Sequence, residues 1–145
     1  MTQTIPGSSP GARGAGPRTP MFTTALRFGV VGAGGAAVNM LVLLVLVVVV
    51  HVPLLVASPV AVELAVVHNY LVNNRWTFGR RRVSMARFGK FNLSALSALL
   101  LNVAVVWALV AADVHFLLSN LVGIAGAATL NFGASTTWIW RGGRR

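Results

Sequence analysis

Asn69, Asn73 and Trp76 stand at i, i+4 and i+7, so on a helix they share one face. Asn131, Ser135 and Trp138 repeat that stripe 62 residues later. His68 and Arg75 lie on a neighbouring face, again seven positions apart. Amides, a guanidinium fork and an indole ring at one level make a donor set suited to a phosphate at a headgroup surface. The same residue types also anchor helix ends by snorkelling and belt packing, so the residues alone leave both readings open.

A second group lies deep in apolar sequence. Asn39 is twelve residues past Arg27 and Asn102 twelve past Lys90, a helical rise of roughly 18 Å. Glu63 is thirteen residues before Trp76 on a helix running the other way, or roughly 20 Å by the same rise. The three are thus predicted to share one depth and line a central polar site for a sugar hydroxyl or a proton. The competing role is hydrogen bonding between helices. Glu63 is the costlier of these residues in hydrocarbon.

What the chain lacks bounds its chemistry. It has no Cys, which removes disulfides, thiol catalysis and thiolate metal sites. Three His and two acids are few ligands for a metal site, so none is predicted. There is no nucleophile–base–carboxylate set and no nucleotide motif. Gly32-Ala33-Gly34-Gly35 follows no strand and precedes no Gly-Lys-Ser/Thr, so it reads as a helix packing face rather than a phosphate loop. The expectation is a protein that is not an enzyme and needs no cofactor.

The elements that must position these residues are apolar. Of 145 residues, 56% are hydrophobic and 10% charged, against about 25% charged in ordinary domains. The net charge of +10 does not indicate nucleic acid, because the basic residues sit at the ends of apolar runs rather than along a polar face. Arg27 precedes the first run, Arg75, Arg80, Arg81, Arg82, Arg87 and Lys90 cluster mid-chain, and Arg141, Arg144 and Arg145 close the sequence. Each intervening stretch, 28–74 and 91–140, is long enough to cross a bilayer twice. The predicted fold is an all-α membrane protein of four transmembrane helices, near 28–50, 54–75, 90–112 and 116–138. Retention of positive charge predicts both termini and the central loop on the cytoplasmic side of the membrane. Residues 1–21 are expected to form a disordered tail, 22–141 the transmembrane domain and 142–145 a basic tail.

The two halves are similar to each other. Arg27, Phe28 and Asn39 match Lys90, Phe91 and Asn102 at an offset of 63, and Asn69, Tyr70, Trp76 and Phe78 match Asn131, Phe132, Trp138 and Trp140 at 62. The one-residue difference is expected in a loop. Each half begins and ends on the same side, so the hairpins form parallel-oriented repeats. Arg75 is matched by Thr137 and Glu63 by Ala125, so the halves are not equal.

Arg-Phe-x-x-x-Gly at 27–32, His-Asn-Tyr-Leu-Val-Asn-Asn-Arg-Trp-Thr-Phe at 68–78, and Leu-Asn-Phe ending in Trp-Ile-Trp-Arg at 130–141 resemble the GtrA-like family. The resemblance covers about 27–141. It implies a small four-helix membrane protein of cell-surface polysaccharide synthesis that flips a polyprenyl-phosphate-linked sugar, or assists the glycosyltransferase that uses one. It further implies a bacterial inner membrane and its lipids as surroundings and a glycosyltransferase as partner, and it supports Arg75 and Asn69 as phosphate ligands. With Asn73, Trp76, Asn131, Glu63, Asn39 and Asn102, read from the residues above, they make up the substrate-binding candidates. Four helices enclose little room, which makes a homodimer an expectation too. The rival roles separate on one substitution. Glu63→Gln leaves activity intact in an accessory subunit, but abolishes efflux in a small proton-coupled exporter.

Overall fold

A chain this apolar must satisfy its backbone internally, and within a bilayer a helix does so without partners. The computed structural model describes residues 20–141 and is helical throughout, with four helices long and apolar enough to cross a membrane. α1 spans Met21–Leu44, α2 Leu54–Val72, α3 Met85–Ala111 and α4 Phe116–Ala134. Three of them continue through a wider π-helical turn: Val45–Val49 after α1, Asn73–Thr77 after α2 and Ser135–Ile139 after α4. The predicted tails fall outside the described residues, except for Pro20 and Met21.

Helix ends follow local chemistry. Pro20 and Pro53, with φ near the value their rings impose, directly precede α1 and α2. Ser84 caps α3 by accepting from the Arg87 backbone N–H at 3.4 Å, and the His115 ring accepts from the Leu117 N–H at 3.3 Å at the start of α4. α1 and α3 begin seven and five residues before their predicted starts. Arg27 and Lys90 therefore sit within helices, because a long basic side chain reaches the interface from inside the first turns. Away from the basic end, His51 and Asp113 each turn the chain at a left-handed φ, 61° and 60°. His and Asp occupy equivalent positions in the two repeats, so the turn is duplicated along with the helices.

The one-residue difference between the halves lies in a helix rather than a loop. From Asn39 to His51 is twelve residues, and from Asn102 to Asp113 eleven. The extra residue is taken up by the π turn at Val45–Val49, which α3 does not have. By contrast, the π turns that end α2 and α4 are themselves equivalent, beginning at Asn73 and Ser135.

Within each hairpin the helices meet through small residues. Ala57, Ala61 and Ala65 are buried at four-residue intervals along α2. Gly35 of α1 lies under the Asn69 carboxamide, and Gly123 of α4 under that of Asn102. Each hairpin is closely packed, and the two join mainly at the basic end, through Phe28, Tyr70, Phe91, Ile139 and Trp140. Phe78 stacks on Trp140 with ring centroids 4.2 Å apart. Most remaining large apolar side chains point outward, as in a protein solvated by lipid.

Not every glycine of α1 belongs to the packing face. A Cβ at Gly35 would collide with Asn69, whereas one at Gly29 meets nothing within 4 Å. Gly35→Ala should therefore destabilise the protein by about 1–3 kcal/mol through overpacking, while Gly29→Ala leaves stability unchanged or slightly higher. Thermal unfolding in detergent tests the pair, and equal melting of the two variants would refute this packing.

Candidate functional site

The end of the bundle that carries the arginines is built on three residues from α2 and its π turn. Tyr70, fully buried, donates its hydroxyl to the Ser84 carbonyl at 2.8 Å and accepts from the Ser84 N–H at 3.1 Å. That exchange fixes the entry to α3. Asn73 is buried and accepts from the Thr77 hydroxyl at 2.7 Å, bracing the π turn from within.

Asn74 is the centre of this network. It is 0% exposed, and its Nδ2 donates to the carbonyls of Arg80 and Arg82, both at 3.3 Å. Its Oδ1 accepts from Arg87 Nη1 at 3.0 Å and from Trp140 Nε1 at 3.1 Å. A carboxamide has two donor hydrogens and two acceptor lone pairs, and all four are used here. Arg87 also donates to the Arg82 carbonyl at 2.7 Å, and Arg80 to the Trp140 carbonyl at 3.1 Å. The loop 79–84 is thereby tied to α2, α3 and the end of α4.

This frame presents a row of guanidinium groups. Arg75, Gly79, Arg80 and Arg81 line an open recess of about 360 Å³. Gly79 turns the chain at φ 61°, a conformation that favours glycine. Arg75 and Arg81 are exposed. Neither acid is at this end: Glu63 lies within α2 and Asp113 in the opposite turn. Among the described residues the local field is therefore positive, and the recess suits an anion with several acceptor oxygens.

The repeated aromatic residues have a specific partner. The Arg27 guanidinium lies over the Trp76 ring at 5.6 Å, with Nη1 3.4 Å from the Trp76 carbonyl. Lys90 lies over Trp138 at 5.1 Å. The two pairs are equivalent in the repeat, and each holds the start of one helix against the end of the next.

The predicted residues do not converge on one site. Arg75 and Trp76 stand at the exposed basic end, but Asn69 and Asn73 turn inward. Asn69 packs on Gly35 with its Oδ1 3.4 Å from His68 Nδ1. Asn131 accepts from the Ser94 hydroxyl of α3 at 2.8 Å, so it joins two helices. The stripe of three is broken because the π turn changes the angular spacing between Asn73 and Trp76. The predicted central cluster is not assembled either. No hydrogen bond connects Asn39, Asn102 and Glu63, and the side-chain oxygens of both Asn residues are buried without partners. Glu63 instead accepts from Asn92, ten residues before Asn102 on α3, about 15 Å along the helix. Equal counting from helix ends misplaced it, since α2 and α3 meet at a different register from the helices within each hairpin.

Asn74, Arg87 and Asn92 carry roles that the sequence patterns missed. Asn74 lies off the Asn–Trp stripe and is matched by Thr136, so neither helical spacing nor the repeat marks it. An amide where an apolar helix runs into an arginine-rich loop was the available signal. Among the described residues, no group of three His, Cys, Asp or Glu could hold a metal ion.

A family model described as GtrA/DPMS, transmembrane domain, matches residues 27–140. A dolichol-phosphate mannosyltransferase of Pyrococcus furiosus is 38% identical over 110 residues, which are 74% of this chain and 30% of that relative. The chain thus matches less than a third of the relative's length.

Asn74→Ala leaves the Arg87 guanidinium and the Trp140 indole without their shared acceptor. It should lower stability by about 2–3 kcal/mol and loosen the loop 79–84. Hydrogen exchange across residues 79–87 should rise in this variant and stay low in Gly29→Ala, and unchanged exchange would show that the carboxamide does not hold the loop.

Proposed function

The chain belongs to the GtrA/DPMS transmembrane-domain family, and on that premise we propose that it binds the phosphate of a polyprenyl-phosphate-linked sugar and moves that lipid across the membrane. The observation that carries the proposal is the recess lined by Arg75, Gly79, Arg80 and Arg81, with the Arg75 and Arg81 side chains exposed at its edge. Its position at the end of a membrane span sets the guanidinium groups at headgroup level, where a lipid phosphate lies. Trp76, which follows Arg75 in the chain and is held by Arg27, is about half exposed, as an interfacial indole is. The name of the Pyrococcus relative, a dolichol-phosphate mannosyltransferase, favours a polyprenyl-phosphate sugar over an ordinary phospholipid.

The role proposed is binding and translocation without catalysis. Basic residues retained on the cytoplasmic side would place the recess facing the cytoplasm, where the lipid is loaded. A second reading is favoured by one observation: the match covers 30% of a mannosyltransferase. In that reading the four helices position a separate glycosyltransferase at the membrane.

Reconstitution separates the two. Vesicles holding folded protein should transfer a labelled polyprenyl-phosphate mannose between leaflets faster than protein-free vesicles. Arg75→Ala should slow transfer roughly 10- to 100-fold, since a hydrogen bond to a charged group is worth about 1.5–3 kcal/mol. Its stability should not change, because Arg75 is exposed. Vesicles that show no transfer above background, together with stimulation of a co-reconstituted mannosyltransferase, would replace translocation with the accessory role.

A further inference from the structure

One polar pair joins the two hairpins inside the span. Asn92 Nδ2 of α3 donates to both carboxylate oxygens of Glu63 on α2, at 2.8 and 2.9 Å. Glu63 is exposed on the outside of the bundle and Asn92 is half-buried. A carboxylate has about four lone-pair sites, and one amide nitrogen fills only part of that capacity. A group of this kind facing hydrocarbon needs further polar partners.

The repeat shows that the architecture does not require the pair. It relates the α2–α3 seam to the α4–α1 seam, where Glu63 becomes Ala125 and Asn92 becomes Gly29. A Cβ at Gly29 would meet nothing within 4 Å. One seam is thus polar and its equivalent is bare. The polar seam is also the one that ends at the arginine recess, because loop 79–84 joins α2 to α3.

We infer that Glu63 and Asn92 form a second station on the α2–α3 seam, which receives the hydroxyl groups of the sugar once the headgroup leaves the arginine recess. This rests on the translocation reading above. The chemistry divides between the stations: guanidinium groups at the recess take the phosphate, and a carboxylate with a carboxamide takes hydroxyl groups. Two neighbouring sugar O–H groups can donate to the Glu63 oxygens, and Asn92 is then free to pair with a third hydroxyl. Glu63 and Arg75 are twelve residues apart, about 18 Å of helix, which exceeds the reach of one hexose phosphate. The headgroup therefore occupies the stations in turn, and the α4–α1 seam takes no part.

A polyprenyl-phosphate mannose with a photoreactive diazirine on the hexose tests this in wild-type protein, where folding is not in question. Label should appear on segments of α2 and α3 containing Glu63 and Asn92. Label confined to segments containing Gly29 and Ala125, or to the arginine loop, would overturn the inference. In vesicles, Glu63→Ala should slow transfer about tenfold or more, while lipid binding that depends on Arg75 is retained. Transfer at the wild-type rate by both Glu63→Ala and Asn92→Ala, with Arg75→Ala slowed, would remove the second station and leave the translocation reading standing. A wild-type protein that binds the lipid but does not move it would overturn both.

Discussion

A four-helix bundle in lipid gains little from burying apolar side chains, because lipid tails solvate them as well as the bundle does. Shape must come from close packing and from polar contacts that have no better partner. In this protein such contacts gather around the buried carboxamide of Asn74. It joins the end of α2, the arginine loop, the start of α3 and Trp140 after α4. The arginines of loop 79–84 repel one another and carry no carboxylate among them, so they would not form a defined recess unaided. Backbone carbonyls, fixed by Asn74 and Arg87, hold the loop instead, which leaves exposed guanidinium groups available to an outside anion.

The positions of the spans were legible because apolar length is a direct physical requirement of a bilayer. Polar residues at matched offsets exposed the repeat, and Arg27–Trp76 and Lys90–Trp138 show what those offsets preserve: one cation held over one indole in each half. The arrangement of the site was less legible. Asn69, Asn73 and Trp76 fit a helical stripe only while the helix keeps its ordinary period, and a π turn has no period signature in five residues. Depth estimates for Asn39, Asn102 and Glu63 assumed equivalent helices in register, which holds within a hairpin but not across the α2–α3 contact. Asn74 was hidden for a different reason: its partners lie in a loop, where spacing along the chain says nothing about distance.

The halves are alike in scaffold and unlike in chemistry. Both have the cation–π pair, the π turn at the basic end and the left-handed turn at the other. Arg75, Asn74, Glu63 and Asn92 have as counterparts Thr137, Thr136, Ala125 and Gly29. All four polar residues of this set belong to α2, its π turn or α3. A pseudo-symmetric frame therefore carries a one-sided set of polar residues, and function need not follow the symmetry of the backbone.

The π turn at Val45–Val49 bears on how such a protein changes over generations. A residue added to an ordinary helix rotates everything beyond it by about 100°, and in a hairpin that would swing the whole partner helix. Here one extra residue is swallowed as a local widening, and His51 still turns the chain as Asp113 does in the other half. The end remote from the arginines acts as slack in the fold. Duplicated hairpins can drift in length there while the polar end stays in register, so insertions and deletions among relatives should collect on the far side of the membrane from the loop 79–84.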